Sequence, residues 1–201
     1  MSAPVSTIPD GGLADCRTLI LGIGNLLWAD EGFGIRAAEA LNAAYEFPED
    51  VRIMDGGTQG MFLLPYVRGA TNLLIFDAIE FGLAPGELRV IRDGDVPQYM
   101  GARKMSMHQT GFQEVLAAAG MFNDYPERLA LIGVQPELLD DYGGSLTPCI
   151  RARIPEAIGV AIELLEQWGI AAMVRRESPQ QTELIGPDEM AIHSYETDRP
   201  V

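Results

Sequence analysis

Three unbroken apolar runs constrain the fold of this chain more than any other feature. They are Thr18–Ile23 (TLILGI), Leu73–Phe76 (LLIF) and Leu129–Val134 (LALIGV). Such runs are typical of strands that are buried on both faces of a parallel sheet. Helical patterns separate them, so we predict an α/β protein, a three-layer sandwich in which a mostly parallel, twisted sheet of about five strands carries helices on both faces.

Shorter patterns define the other elements and the domain limits. Strands are predicted at Val51–Met54, Glu87–Arg92 and, as a last short extended piece, Ala171–Val174, and helices over Ile35–Ala44, Thr58–Val67, Gln109–Ala119 and Ile150–Trp168. The short glycine- and proline-containing link between Leu73–Phe76 and Glu87–Arg92 favours an antiparallel arrangement of these two strands. Residues 16–175 are predicted to form a single catalytic domain, with residues 1–15 as a flexible leader and residues 176–201 as a disordered tail, because both ends contain proline and lack sustained periodicity.

The acidic composition excludes several classes of partner. The 14 Lys and Arg residues oppose 29 Asp and Glu, which gives a formal charge of -15, and this charge repels phosphate backbones and anionic lipids. Neither nucleic acid nor a membrane surface is therefore expected as a partner. No apolar run reaches the roughly 18 residues that span a bilayer, and Arg17 comes too late for a charged signal-peptide start. With only Cys16 and Cys149, both predicted to be ordinary thiols, the protein is expected in the cytoplasm.

The loop after the first strand, LGIGNLLWADEGFGI, begins like a dinucleotide-binding loop but does not complete one. A GxGxxG fingerprint would need glycine where Leu27 stands, and no Lys-Ser or Lys-Thr follows to make a P-loop. Asp30 and Glu31 would also repel a pyrophosphate. Adjacent carboxylates at this place either cap the following helix or offer oxygen ligands to a cation. Four glycines around them cost chain entropy and favour a shaped functional loop.

Parallel strands should bring several ionisable residues to one edge of the sheet. Glu31 follows the first strand, Asp55 follows the second, Asp77 ends the third, and His108 lies just before a predicted helix. Ligands of open α/β sheets bind at the carboxyl ends of the strands. One imidazole and two carboxylates suit a first-row transition ion with open positions better than calcium or magnesium. The alternative for His108 is an ordinary surface or hydrogen-bonded loop histidine.

Five motifs occur in an order that resembles a known family. They are LGIGNLLWADEGFGIRAAEAL, DGGTQGM, IFDAIEFGLAPGEL, SMHQTGFQEVL and IGVQPELLD. Together they resemble the hydrogenase maturation endopeptidases, most closely the branch that serves uptake [NiFe] hydrogenases, from about Thr18 to Trp168. The resemblance implies an α/β protease that removes a short C-terminal extension from the precursor of the hydrogenase large subunit after nickel has been inserted.

The same resemblance implies roles for individual residues. The residues that match the nickel-recognising positions are Glu31, Asp77 and His108, while Asp55 matches a second motif near the cleft. These four are the predicted catalytic-site residues. Nickel would arrive inside the precursor, so the free protein is expected to be metal-poor, with other divalent ions able to occupy the same ligands.

The chemistry of cleavage stays open at the level of sequence. There is no Ser-His-Asp set with a nucleophile elbow, and neither cysteine has a motif neighbour that would make it a nucleophile. Either nickel acts as a Lewis acid with Glu31 or Asp77 as base, or nickel only positions the peptide and a carboxylate such as Asp55 activates water; the first is favoured. The rival functions are a nickel carrier with the same ligands and, more distantly, a nucleotide-binding module.

Overall fold

The computed structural model describes residues 16–97, 107–179 and 184–185, without the side chains of residues 107–110. The predicted leader and most of the predicted tail lie outside the described residues. In chain order the elements are β1 (Thr18–Ile23), α1 (Phe33–Ala44), β2 (Tyr45–Glu46), β3 (Val51–Gly57), α2 (Leu64–Gly69), β4 (Asn72–Ala78), β5 (Leu88–Arg92), α3 (Met107–Met121), β6 (Arg128–Val134), α4 (Pro148–Arg151), α5 (Ile154–Gln167) and β7 (Met173–Val174). Short 3₁₀ turns at Ala29–Gly32 and Gly60–Leu63 precede α1 and α2.

The central sheet has the strand order β3-β1-β4-β6-β5. Strands β3, β1, β4 and β6 are parallel. Strand β5 is an outer strand of the sheet and runs antiparallel to β6. This confirms the predicted mostly parallel sheet. Strand β5 runs antiparallel to β4, as predicted, but the two strands are not neighbours. Although β5 follows β4 in the chain, it pairs with β6, and the link between β4 and β5 is tied to the end of β6 by Gly86, whose N–H donates to the Gln135 carbonyl.

Two apolar cores, one on each face of the sheet, make the three layers. On one face, alternate residues of β1, β4 and β6 pack with α2 and α3. On the other face, the intervening residues pack with α1 and α5. The central strands are buried along their whole length because helices cover both faces, which is why they read as continuous apolar runs. Within the described residues, no helix has the length and apolarity needed to cross a membrane.

Four helices differ from their predicted limits, and of these α1 differs least, since it begins at Phe33 rather than Ile35. The single helix predicted over Ile150–Trp168 is in fact two, α4 and α5, because Pro155 lacks the N–H that a helix interior needs and instead lies in the first turn of α5. The segment predicted as a helix over Thr58–Val67 divides into a 3₁₀ turn and α2. Helix α3 begins at Met107, so His108 lies in its first turn rather than before it.

The chain after α5 folds back onto the edge of the domain. Strand β7 pairs with β2 in a two-stranded sheet, and the Arg175 N–H donates to the Ala44 carbonyl over 2.8 Å. Further along, Ile185 packs partly buried against the core on the α1 and α5 side.

Deleting residues 176–201 is expected to leave folding nearly intact, together with the precursor processing that the family resemblance implies. The deletion keeps the Arg175 contacts and removes the partly buried Ile185, whose loss should cost about 1 kcal/mol. The melting temperature should therefore fall by only about 2–4 °C. A fall of more than about 8 °C in a thermal melt would mean that this segment belongs to the folded core.

Candidate active site at the carboxyl edge of the sheet

Asp77 lies at the carboxyl end of β4 and is fully buried. Its neighbour Phe76 pairs with Gly22 of β1, and Asp77 itself pairs with Gly133 of β6. Side chains alternate along a strand, so Asp77 shares a face with Ile75, which packs in the core under α2 and α3. Its carboxylate therefore belongs to the α3 side of the sheet.

Glu31 lies in the 3₁₀ turn Ala29–Gly32, which follows the carboxyl end of β1 and contacts β4. Both backbone polar groups of Glu31 are hydrogen-bonded. Its N–H donates to the Trp28 carbonyl over 2.8 Å, and its carbonyl accepts from the Asn25 N–H over 3.1 Å. Its side chain is partly exposed. The structure thus brings Glu31 and Asp77 to the same edge, as predicted from the strand ends.

Glycines let the loop carrying Glu31 and the start of α1 lie directly on the strand ends. Gly24 has φ +143, and a Cβ there would overlap the Glu31 carbonyl oxygen. A Cβ on Gly34 would overlap the carbonyl oxygens of both Ile23 and Phe76. Gly24 and Gly34, two of the glycines predicted to shape this loop, therefore allow close backbone packing beside Glu31 and the end of β4.

Replacing Gly34 with alanine is expected to destabilise the fold by about 2–3 kcal/mol, because the new methyl group meets two backbone carbonyls that cannot rotate away. The matched control is Gly159→Ala on α5, where a Cβ meets no heavy atom within 4 Å. That change should be neutral or stabilising by up to about 1 kcal/mol. Urea unfolding of both variants measures this, and equal stabilities would contradict the packing role of Gly34.

Helix α3 brings His108 toward the same edge. The helix ends at Met121, shortly before β6 starts at the opposite edge of the sheet, so its first turn lies at the carboxyl edge. Helix α3 also packs closely on the turn that follows β3, since a Cβ on Gly111 would lie 3.4 Å from the Gly60 Cα in that turn. The imidazole of His108 is outside the described side chains. Among the side chains that are described, no three His, Cys, Asp or Glu groups are close enough together to hold a metal ion.

Asp55 lies at this edge but on the other face of the sheet. It pairs with Gly22, and it shares a face of β3 with Ile53, which packs toward α1. The Arg36 guanidinium of α1, only 4% exposed, pairs with Glu39 over 2.8 Å. Burial raises the pKa of Asp55, while the Gly57 N–H and the charge of Arg36 lower it. Burial likewise raises the pKa of Glu39, against the opposing effect of Arg36.

Asp30 neither caps α1 nor takes the position of a cation ligand, which were the two roles that the sequence offered for it. It is fully buried, and its carboxylate accepts hydrogen bonds from the N–H groups of Glu137, Leu138 and Thr147 at 2.7–2.9 Å and from the Thr147 hydroxyl at 3.2 Å. The N-cap of α1 is Gly32, with no side-chain cap. Asp30 therefore joins the loop after β1 to the loop after β6.

Gln135 is a positioning residue that sequence reasoning missed. It is 4% exposed, and its Oε1 accepts from the N–H groups of Phe81 and Leu83 at 2.8 and 3.1 Å. Its Nε2 donates to Glu80 over 2.9 Å. These bonds fix the loop that follows Asp77. The available signal was an amide placed directly after the apolar run of β6, where a buried polar group needs partners.

Cys16 is not placed to act as a nucleophile at this edge. Both Cys16 and Cys149 are free thiols. Cys16 is buried just before β1, at the opposite end of the sheet from Asp77, and burial raises its pKa. A buried thiol with a raised pKa is a poor nucleophile.

Comparison with known proteins identifies the class and then the family. Residues 35–164 match a family model described as hydrogenase maturation protease. The hydrogenase expression/formation protein HoxM of Azotobacter vinelandii is 53% identical over 182 residues, which cover 90% of this chain and 86% of the relative. The hydrogenase 2 maturation protease of Escherichia coli is 41% identical, over 79% of this chain and 96% of the relative.

Solved structures agree with this match. The hydrogenase-maturating endopeptidase HybD of Escherichia coli superposes with a TM-score of 0.76 at 40% identity, and the match covers 81% of this chain and 99% of that one. The [NiFe] hydrogenase maturation protease HybD of Thermococcus kodakarensis gives a TM-score of 0.62 at 25% identity, over 74% of this chain and 98% of that one. The chain belongs to the hydrogenase maturation protease family and is a peptidase.

Proposed function

We propose that this protease removes the C-terminal extension from the nickel-loaded precursor of a [NiFe] hydrogenase large subunit. In this proposal Glu31, Asp77 and His108 recognise nickel that is already seated among cysteine thiolates of the precursor. The main support is the position of the Glu31 turn, the Asp77 end of β4 and the first turn of α3 at one edge of the sheet. The partner is the precursor polypeptide, and the acidic charge argues against nucleic acid or a membrane surface.

The chemistry of the three side chains supports nickel over the common hard cations. Calcium and magnesium prefer all-oxygen sites, whereas an imidazole beside two carboxylates suits a first-row transition ion. Since the ion arrives with the substrate, recognition reports that metal insertion is complete. The free protein then holds little metal, and other divalent ions can occupy the same ligands. Two free thiols fit a cytoplasmic location for this step.

The position of Asp55 bears on how the peptide bond is cleaved. In the favoured route nickel acts as a Lewis acid and Glu31 or Asp77 serves as base. In the other route Asp55 activates water. Asp55 lies on the α1 face, across the sheet from Asp77, which supports the first route. Its raised pKa is the one property that suits it to proton transfer.

The Asp55→Asn variant separates the two routes. If nickel is the Lewis acid, kcat for the nickel-loaded precursor should stay within about tenfold of the parent value, since a general base is worth roughly 100-fold or more. A loss of that larger size with unchanged KM would assign the base role to Asp55 instead.

The Asp77→Asn variant is expected to fold but to process the precursor poorly. Asparagine keeps the shape at the end of β4 and lacks the charge that binds a divalent ion, so cleavage should fall by roughly 10- to 100-fold or more while the melting temperature changes little. The mass of nickel-loaded precursor after incubation gives the rate. Cleavage at the parent rate would remove Asp77 from nickel recognition, and metal transfer with intact precursor in the parent reaction would favour a nickel carrier.

A further inference from the structure

Four apolar side chains form an exposed surface beside the Glu31 turn. Leu27, Leu138 and Tyr142 are 39%, 42% and 67% exposed, and Trp28 is half-buried. The rings of Trp28 and Tyr142 meet edge to face, with centroids 5.2 Å apart. We call these four residues the aromatic platform. Exposed apolar patches of this kind mark interaction sites, and tryptophan and tyrosine are enriched among the residues that dominate binding.

Backbone contacts hold the aromatic platform rigid. Trp28 and Tyr142 form a β-bridge, and the Gly143 N–H donates to the Leu27 carbonyl over 2.7 Å. The Asp30 N–H donates to the Leu138 carbonyl over 3.1 Å, and the buried Asp30 carboxylate accepts a hydrogen bond from the Leu138 N–H. A surface that is already ordered loses little conformational entropy on binding.

The aromatic platform is continuous with the candidate active site. The Trp28 carbonyl accepts the Glu31 N–H over 2.8 Å, so the platform and Glu31 share one turn of the chain. A polypeptide lying on the platform would therefore reach the edge where Glu31 and Asp77 lie.

Three carboxylates on the loop after β6 form an acidic rim along one side of the aromatic platform. Glu137, Asp140 and Asp141 are exposed on the same loop as Leu138 and Tyr142, and none of them forms an ion pair with a residue in the described part of the chain. A second copy of this chain is an unsuitable occupant because it would bring another acidic rim and another formal charge of -15. The complementary occupant is a basic polypeptide that also carries apolar side chains.

We propose that the aromatic platform binds the precursor polypeptide through a segment that lays apolar side chains on Trp28 and Tyr142 and directs Lys or Arg toward the acidic rim. This inference rests on the proposed function, since it takes the precursor as the occupant. The platform would supply affinity and position the chain, while the carboxylates at the sheet edge act on the substrate.

The first test compares Tyr142→Ala with Met121→Ala, using the full chain and nickel-loaded precursor. Met121 is 88% exposed at the far end of α3, so it is a matched loss of exposed apolar surface away from the platform. Tyr142→Ala should raise KM, and the dissociation constant from titration, about tenfold with kcat within about twofold. Met121→Ala should match the parent in both.

The second test addresses the charge of the occupant. Asp140→Asn combined with Glu137→Gln should raise KM about threefold or more at low salt and make KM less dependent on salt concentration. The control is Glu163→Gln, which removes an exposed charge from α5. An unchanged salt dependence in the double variant would contradict the basic character of the bound segment.

The outcomes separate this inference from the function on which it rests. If the parent cleaves nickel-loaded precursor and Tyr142→Ala has the parent KM and dissociation constant, the platform inference is wrong and the proposed function stands. If the parent binds precursor through Tyr142 without cleaving it, the platform stands and the proposed function fails. Sedimentation that shows a parent dimer and a monomeric Tyr142→Ala variant would overturn the inference in favour of a second copy.

Discussion

Replacing His108 with alanine is expected to reduce cleavage of nickel-loaded precursor by roughly 100-fold or more. Among the proposed nickel-recognising residues it is the only nitrogen donor, and imidazole favours nickel over magnesium and calcium. Loss of groups that merely support metal ligands already costs roughly 10- to 100-fold, so loss of a ligand should reach at least the upper end of that range. The rate is read from the mass of the precursor over time.

The fold should survive this substitution. His108 lies in the first turn of α3, whereas the helix is anchored further along by Phe112 and Val115 in the core. Circular dichroism and the melting temperature should therefore match the parent. Glu114→Ala, an exposed change two turns along the same helix, should cleave at the parent rate. A His108→Ala protein that is folded and fully active would exclude this imidazole from substrate recognition.

Replacing Asp30 with alanine is expected to lower the free energy of unfolding by about 3–5 kcal/mol, more than any other substitution considered above. Three backbone N–H groups and the Thr147 hydroxyl lose their charged acceptor, which is itself fully buried. The melting temperature should fall by about 10 °C or more. Cleavage should also weaken, because the Glu31 turn and the aromatic platform both depend on this carboxylate.

Asp140→Ala is the matched control for stability. Asp140 is an exposed carboxylate on the same loop after β6. Its removal should change the free energy of unfolding by no more than about 0.5 kcal/mol. If Asp30→Ala and Asp140→Ala had the same melting temperature, the buried hydrogen bonds of Asp30 would not be holding the two loops together.

The main features of the fold could be predicted because they depend on local patterns. Apolar runs in β1, β4 and β6 are long enough to require burial on both faces, and that requirement leads to a parallel sheet between helices. The break between α4 and α5 was also encoded locally, by Pro155, but the strong apolar periodicity on both sides concealed it. The pairing of β5 with β6 depends on contacts between distant parts of the chain, which periodicity does not report.

The candidate site was predictable only as far as topology determines it. Strand ends placed Glu31 and Asp77 at one edge, as the structure has them. The roles of Asp30 and Gln135 were not predictable, because their hydrogen-bond partners lie 107–117 and 52–55 residues away in the chain. That Asp55 faces α1 follows from its register with β1, which the residue pattern alone does not give.

The most direct test of the central proposal is the response of the parent protein to nickel in its substrate. Nickel-loaded and nickel-free precursor are incubated separately with the full chain, and the mass of each precursor is followed. We expect loss of a C-terminal peptide from the nickel-loaded precursor alone, because without the ion Glu31, Asp77 and His108 have nothing to bind and the scissile bond is not positioned. Equal cleavage of both precursors would contradict recognition through nickel carried by the substrate.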